Sequence, residues 1–246
     1  MSVLSRLTIT ETKLFFREPI SVIVGLALAP VLLIVLGSIP AFREPEPGFG
    51  GLRVIDVYTP IVVSLAILSL AITVLPQQFA TYRDKGVLRR LRTTPVRPVA
   101  MLGGQLLMSA TLALGSALAI QAIARVLFGV PLPQHLPAYL VAFVLSALAL
   151  FALGMLVAAV APTAMSASAI GLVLFFPLLF FGGLWIPRAS MSEILLTISD
   201  FTPLGAGVQA LTDAAGGAWP LGLHLAVMLG WTIVAGGLAA RYFRWE

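Results

Sequence analysis

Apolar residues fall into six long runs separated by short polar segments. A helix rises 1.5 Å per residue, so about 20 apolar residues cross a hydrocarbon core of roughly 30 Å. The stretches 20–39, 58–80, 101–124, 139–161, 165–186 and 219–240 all reach that length, and none contains Asp, Glu, Lys or Arg. In the third, apolar character runs on through Val130 and blurs its outer end. The pattern predicts an all-α membrane protein of six transmembrane helices forming a single domain over 1–246. Prolines 30, 60, 76 and 177 lie in or beside these runs and mark expected kinks.

Three segments outside the runs carry most of the remaining information. Residues 2–18 read as an amphipathic helix: Arg6, Thr10, Lys13 and Arg17 share one arc, and Val3, Leu4, Leu7, Leu14 and Phe15 the other, broken by Glu11. Such a helix lies along a membrane surface, contacts another subunit, or does both, and Pro19 ends it. The loop at 81–95 holds Val87, Leu88 and Leu91 as one small apolar knob among Arg89, Arg90 and Arg92. It reads equally as a cationic anchor for anionic lipid and as a docking element for a soluble, acidic partner. Residues 187–218 contain Ser190-Met-Ser-Glu193, expected as a capping box, and Thr202-Pro203, expected to open a second short helix ending before Gly216. Both are too short to cross and form either a hairpin dipping into the outer leaflet or an external loop.

Composition strengthens the membrane reading. Charged residues make up 10% of the chain, whereas a soluble domain carries about 25%. There are no cysteines, which excludes disulfide scaffolds and thiolate metal sites. The side shared by both termini carries 11 of the 15 cations, leaving only Arg43, Arg53, Arg125 and Arg188 opposite. The positive-inside rule therefore predicts both termini in the cytoplasm and a multi-pass protein of a bacterial plasma membrane. The net charge of +5 reflects that topology, and nucleic acid need not be invoked as a partner. About 19 residues precede the first run, too long a polar lead for a cleaved signal peptide.

With these segments placed, the chain resembles the permease subunits of type 2 ABC transporters, in particular the small bacterial exporters of the daunorubicin-resistance kind. The resemblance rests on Arg83-Asp84-Lys85-Gly86-Val87-Leu88-Arg89-Arg90-Leu91 with Thr94-Pro95 and Gly103-Gly104-Gln105. It rests further on Phe181-Gly-Gly-Leu-Trp-Ile-Pro187 with Thr202-Pro-Leu204, and on Arg17-Glu18-Pro19. The chain departs from the commoner family pattern in reading Thr-Pro-Leu-Gly-Ala-Gly from Thr202, without an aromatic.

That resemblance implies a connecting helix carrying Arg6, Lys13 and Arg17, a coupling helix at 81–95, and a re-entrant hairpin at 188–216. It further implies two ABC ATPase subunits that bind ATP and Mg, a second permease copy or a paralogue, and a dimer interface lined by spans two and five. The chain holds no Gly-x-x-x-x-Gly-Lys-Ser/Thr phosphate loop, so it is expected to bind no nucleotide or cofactor itself and to catalyse nothing alone. Phe175, Phe176, Phe180, Phe181 and Trp185 give the fifth run an aromatic surface, which reads either as a path for an amphiphile or as packed and lipid-facing aromatics. Short loops point to a drug-like or lipid-like cargo. An ion-coupled secondary transporter is the alternative class, but such proteins keep acids or histidines within the membrane. Here the runs offer only His224, expected as a hydrogen-bonded packing residue, and the serines have no partner that would make an intramembrane hydrolase or metal centre.

Overall fold

A computed structural model describes residues 3–84 and 98–242. The described residues form helices joined by short turns, with no strand beyond one isolated bridge between Pro45 and Arg53. Helix α1 (Val3–Phe15) precedes six helices long and apolar enough to cross a membrane. These are α2 (Pro19–Ser38), α3 (Val54–Asp84), α4 (Pro98–Phe128), α5 (Leu136–Val160), α6 (Ala164–Phe181) and α9 (Gly222–Tyr242). Between the last two lie α7 (Glu193–Asp200) and α8 (Pro203–Ala215), which meet at 96°. The protein is thus a multi-pass membrane protein, and α1 and the end of α9 lie on one side, the hairpin of α7 and α8 on the other.

Helix ends differ from the hydropathy pattern where polar residues propagate or stop a helix. Helix α3 exceeds the expected 58–80 at both ends. Asp56 accepts a bond from the Arg53 backbone at 3.2 Å, which starts the helix early, and the amphipathic turn Thr81-Tyr-Arg-Asp84 carries it on. Helix α6 stops at Phe181, short of the expected 186, because Gly183 takes a left-handed conformation (φ 87°) that ends a helix without steric cost. The capping expected at Ser190 is not formed: Ser190 belongs to a 3-10 turn, and Ser192, which directly precedes α7, makes no side-chain cap bond. Helix α8 opens as expected, with Thr202 Oγ1 accepting from the Gly205 N–H at 3.0 Å, and Gly216 follows its end.

Span two is the centre of the protein. From Tyr58 to Ile72 every side chain is buried by the chain's own helices. Two carbonyls of α3 are approached unusually closely: a Cβ on Gly154 of α5 would stand 1.9 Å from Ala71 O, and one on Gly171 of α6 would stand 2.8 Å from Ile72 O. Proline explains the geometry. Pro76 has no N–H to give Ile72 O, and its ring pushes that carbonyl aside. The helix widens into a π stretch at Ser69–Val74, and glycines on α5 and α6 receive the displaced backbone. Pro30 acts in the same way on α2, where Ile23–Ala27 is π-helical and Gly25 sits against Leu70 and Val74. Pro60 and Pro177 lie within regular α-helix, so only two of the four expected kinks take the π form.

The burial of span two also corrects the expectation that spans two and five line a dimer interface. Across its apolar centre, α3 offers no surface to a second copy. Span five does: Ser168, Ala169, Leu172, Val173, Phe176 and Pro177 are exposed along one face of α6. Because Gly154 meets backbone rather than a movable side chain, Gly154→Ala should force α5 from α3 and lower stability by about 1–3 kcal/mol, as overpacking does. Gly115→Ala on α4 meets nothing within 4 Å and should leave the midpoint of detergent thermal unfolding unchanged or slightly raised.

Candidate functional site

The segment with the most specific motif begins on the last turn of α3. Lys85, Gly86, Val87, Leu88, Arg89, Arg90 and Leu91 lie outside the described residues, and the site is built here from the residues that lead into it. Three consecutive side chains reach three different elements. The Tyr82 hydroxyl donates to Glu11 Oε2 on α1. Arg83 donates through Nη1 to Ala161 O at 2.7 Å and through Nη2 to Ala158 O at 3.1 Å, at the end of α5. Asp84 Oδ2 accepts the Ala164 N–H at 3.1 Å, at the start of α6. The signs suit the helix ends: a cation meets orphan carbonyls and an anion meets an orphan N–H.

Helix α1 sits differently on the protein than its hydrophobic pattern suggests. Glu11, which interrupts the apolar arc, is buried with Phe15 one turn later, while Leu14 is 43% exposed. Lys13 and Arg17 are exposed, and Arg6 lies on the same helix with its side chain outside the described residues. Burial pushes the Glu11 carboxyl above the ordinary carboxylate range, and the Tyr82 hydrogen bond opposes part of that rise. The outlier in the amphipathic pattern was therefore the anchoring residue.

On the opposite side a second polar cluster ties the hairpin to the spans. Arg188 is 8% exposed; its Nε donates to Gln209 Oε1 at 3.1 Å, Nη1 to Ser199 Oγ and Nη2 to Asp200 Oδ1. Ser199 Oγ in turn donates to Phe181 O, the last residue of α6. His224 Nε2 lies 3.1 Å from the same Asp200 oxygen, so the histidine is bonded as well as packed. Trp231 Nε1 donates to Phe201 O at 2.9 Å, and the Tyr58 hydroxyl donates to Leu184 O at 3.2 Å. These partners are 11 to 30 residues apart in sequence or more, and no local spacing signals them.

Two cavities flank this framework. An apolar groove of about 640 Å³ opens between α4, α5 and α9 towards the α1 side, lined by Leu102, Leu106, Phe151, Met155, Gly236 and Ala239 among others. A second, of about 500 Å³, lies on the hairpin side between the loop at 48–52, α3 and the hairpin, with Arg188 and Gln209 in its wall. The aromatics singled out on span five line neither. Phe176 and Trp185 are exposed, Phe175, Phe180 and Phe181 half-buried, and Phe175–Phe176 and Phe180–Phe181 pack edge to face.

Two measurements check these clusters. Glu11 has its carboxyl shifted upward in the folded protein, so the protonated form is the better docked one. The hold on α1 should strengthen as pH falls through the range between the raised value and the ordinary carboxylate value, and weaken as pH rises through it. Protease protection of α1 should show that trend, and Glu11→Gln, which keeps an acceptor without the charge, should flatten it. Arg188→Met should cost about 2 kcal/mol or more in detergent unfolding, because it strips the partner from Asp200 in a partly buried site.

A profile of the ABC-2 type transporter family matches residues 3–215, spanning α1, the first five spans and the hairpin. A search of curated proteins finds no match. With six apolar spans, an amphipathic helix before the first and a helical hairpin after the fifth, the chain belongs to the ABC-2 type transporter family of membrane subunits.

Proposed function

We propose that this chain is the permease subunit of an ATP-driven exporter that moves a drug-like or lipid-like amphiphile out of the cytoplasm or the inner leaflet. The observation that carries the reading is the family match across 3–215. Members of that family work with separate ABC ATPases, and the absence of a phosphate loop from the sequence agrees with an energy source on another chain. Two such ATPases would bind ATP and Mg and dock on Arg83–Leu91 of two permeases, each supplying half of the pathway. The α1 side would face the cytoplasm of a bacterial inner membrane, where the cation excess lies. Arg6, Lys13 and Arg17 on the connecting helix would meet anionic headgroups there.

The apolar groove between α4, α5 and α9 supports an amphiphile over a polar solute, since it has no charged residue in its wall and is lined by three spans alone. The exposed aromatics Phe176 and Trp185 on span five, with Phe175, Phe180 and Phe181 behind them, suit contact with the same kind of molecule across a pair of permeases. The Asp200–His224 pair gives the ion-coupled alternative one observation, but that acid is engaged by Arg188 beside the hairpin, at the edge of the membrane.

Pull-down of a co-expressed ABC ATPase tests the docking assignment. The native chain should retain it, and Leu88→Asp or Leu91→Asp should reduce retention at least tenfold by placing a carboxylate on the apolar knob. Equal retention by both variants would remove Arg83–Leu91 as the docking segment.

A further inference from the structure

Motion imposed on a docking segment must reach helices some distance away, and the last turn of span two shows where it can go. We propose that Arg83 and Asp84 are positioning residues that fasten the docking segment to the turn between α5 and α6, so that spans four and five move as one with it. The proposal rests on the docking reading above and adds the route by which docking is felt.

Four observations carry it. Arg83 and Asp84 are adjacent, yet one holds the end of α5 and the other the start of α6. Each is matched in sign to the helix end it meets, and two such bonds across one short turn resist both translation and rotation. The turn is itself stiff: Thr163 N donates to Ser166 Oγ at 2.9 Å and Ser166 N donates to Thr163 Oγ1 at 3.2 Å, so 161–166 can follow a pull without unravelling. Lastly, α6 is only 22% buried within the chain, against 83% for α3. Helix α6 rests on α3 at Gly171 and is held again at its first N–H by Asp84, so its inner face follows α3 while its outer face is left to lipid or a second copy. Tyr82, one residue earlier, binds α1 instead, so the same turn offers an internal control.

The native sequence lacks cysteine, so one introduced thiol reports cleanly. Val173→Cys, on the exposed face of α6 and far along the helix from Asp84, would carry a bimane fluorophore in the full complex of permease and the ABC ATPase that the native chain captures. MgATP with orthovanadate should shift the bimane emission. Arg83→Ala and Asp84→Ala should each lower that shift by half or more for each captured ATPase. Arg83→Lys, which keeps one charged donor, should recover part of it, and Glu11→Gln should leave it unchanged.

Full shifts in both alanine variants with capture intact would overturn the proposal. So would the absence of a shift in the native complex, or a shift in the alanine variants that falls only in proportion to the ATPase they capture, which would leave Arg83 and Asp84 as docking residues alone. Should the alanine variants fail to fold, Arg83→Lys and Asp84→Asn are judged by the same two readouts. Undiminished capture by Leu88→Asp and Leu91→Asp would strike the docking reading, a result separate from all of these.

Discussion

The last carbonyls of every helix lack intrahelical donors, and those turned into the protein have no water to replace them. Much of this structure follows from where the chain finds those donors. Arg43 Nε reaches Gly37 O at the end of span one, and Arg53 Nη1 reaches Phe128 O at the end of span three, at 2.9 Å. Arg83 covers the end of span four. At the end of span five, Ser199 meets Phe181 O and is itself held by Arg188. With so few charges in the chain, committing one arginine to each of four helix ends is a large share. It also explains why guanidinium is used over ammonium: its forked donors can serve two carbonyls, or a carbonyl and a carboxylate, at once. Arg53 does the latter, holding Asp56 as well as Phe128 O.

The interior obeys a different rule. Association of helices in lipid gains nothing from the hydrophobic effect and depends on close approach. Here closeness is obtained by pairing widened backbone with glycine, Ala71 O and Ile72 O on α3 against Gly154 and Gly171. The helix that offers its backbone most openly is thereby the helix that is most enclosed. The two glycines also bring α5 and α6 onto one stretch of α3 near the middle of the membrane, as Arg83 and Asp84 do at its end.

The sequence was most legible where physics is local. Hydropathy located the six spans because burial in lipid needs length and little else, and Thr202-Pro203 with Gly216 marked α8 because caps act over three residues. Ser190 was misread because the four-residue pattern does not show that the chain after Pro187 turns through Arg188–Ser190 and starts α7 at Glu193. Glu11 was legible as an anomaly but not as an anchor, since Tyr82 is 71 residues away. The bonds of the Arg188, Asp200 and His224 cluster were illegible for the same reason: His224 read as a hydrogen-bonded packing residue, but nothing local named Asp200 as its partner. Of the docking segment, the motif was visible in sequence, and the bonds of its first two residues were not.

The π stretch of span two has one more consequence. A widened turn accommodates one residue beyond the regular count, and each residue in a helix turns it by about 100°. Ser69–Val74 therefore takes up one extra residue between the packed half of α3 and the turn that ends in Asp84 without changing the angular phase between them. Removing a single residue there would leave the hydropathy profile intact and the helix as long as a span requires. The stretch would return to regular helix with Tyr82, Arg83 and Asp84 in nearly the same phase, because the widened turn already absorbs that residue. What such a deletion would lose is the displaced backbone at Ala71 and Ile72 that Gly154 and Gly171 receive, so the extra residue serves the packing of α5 and α6 on this helix.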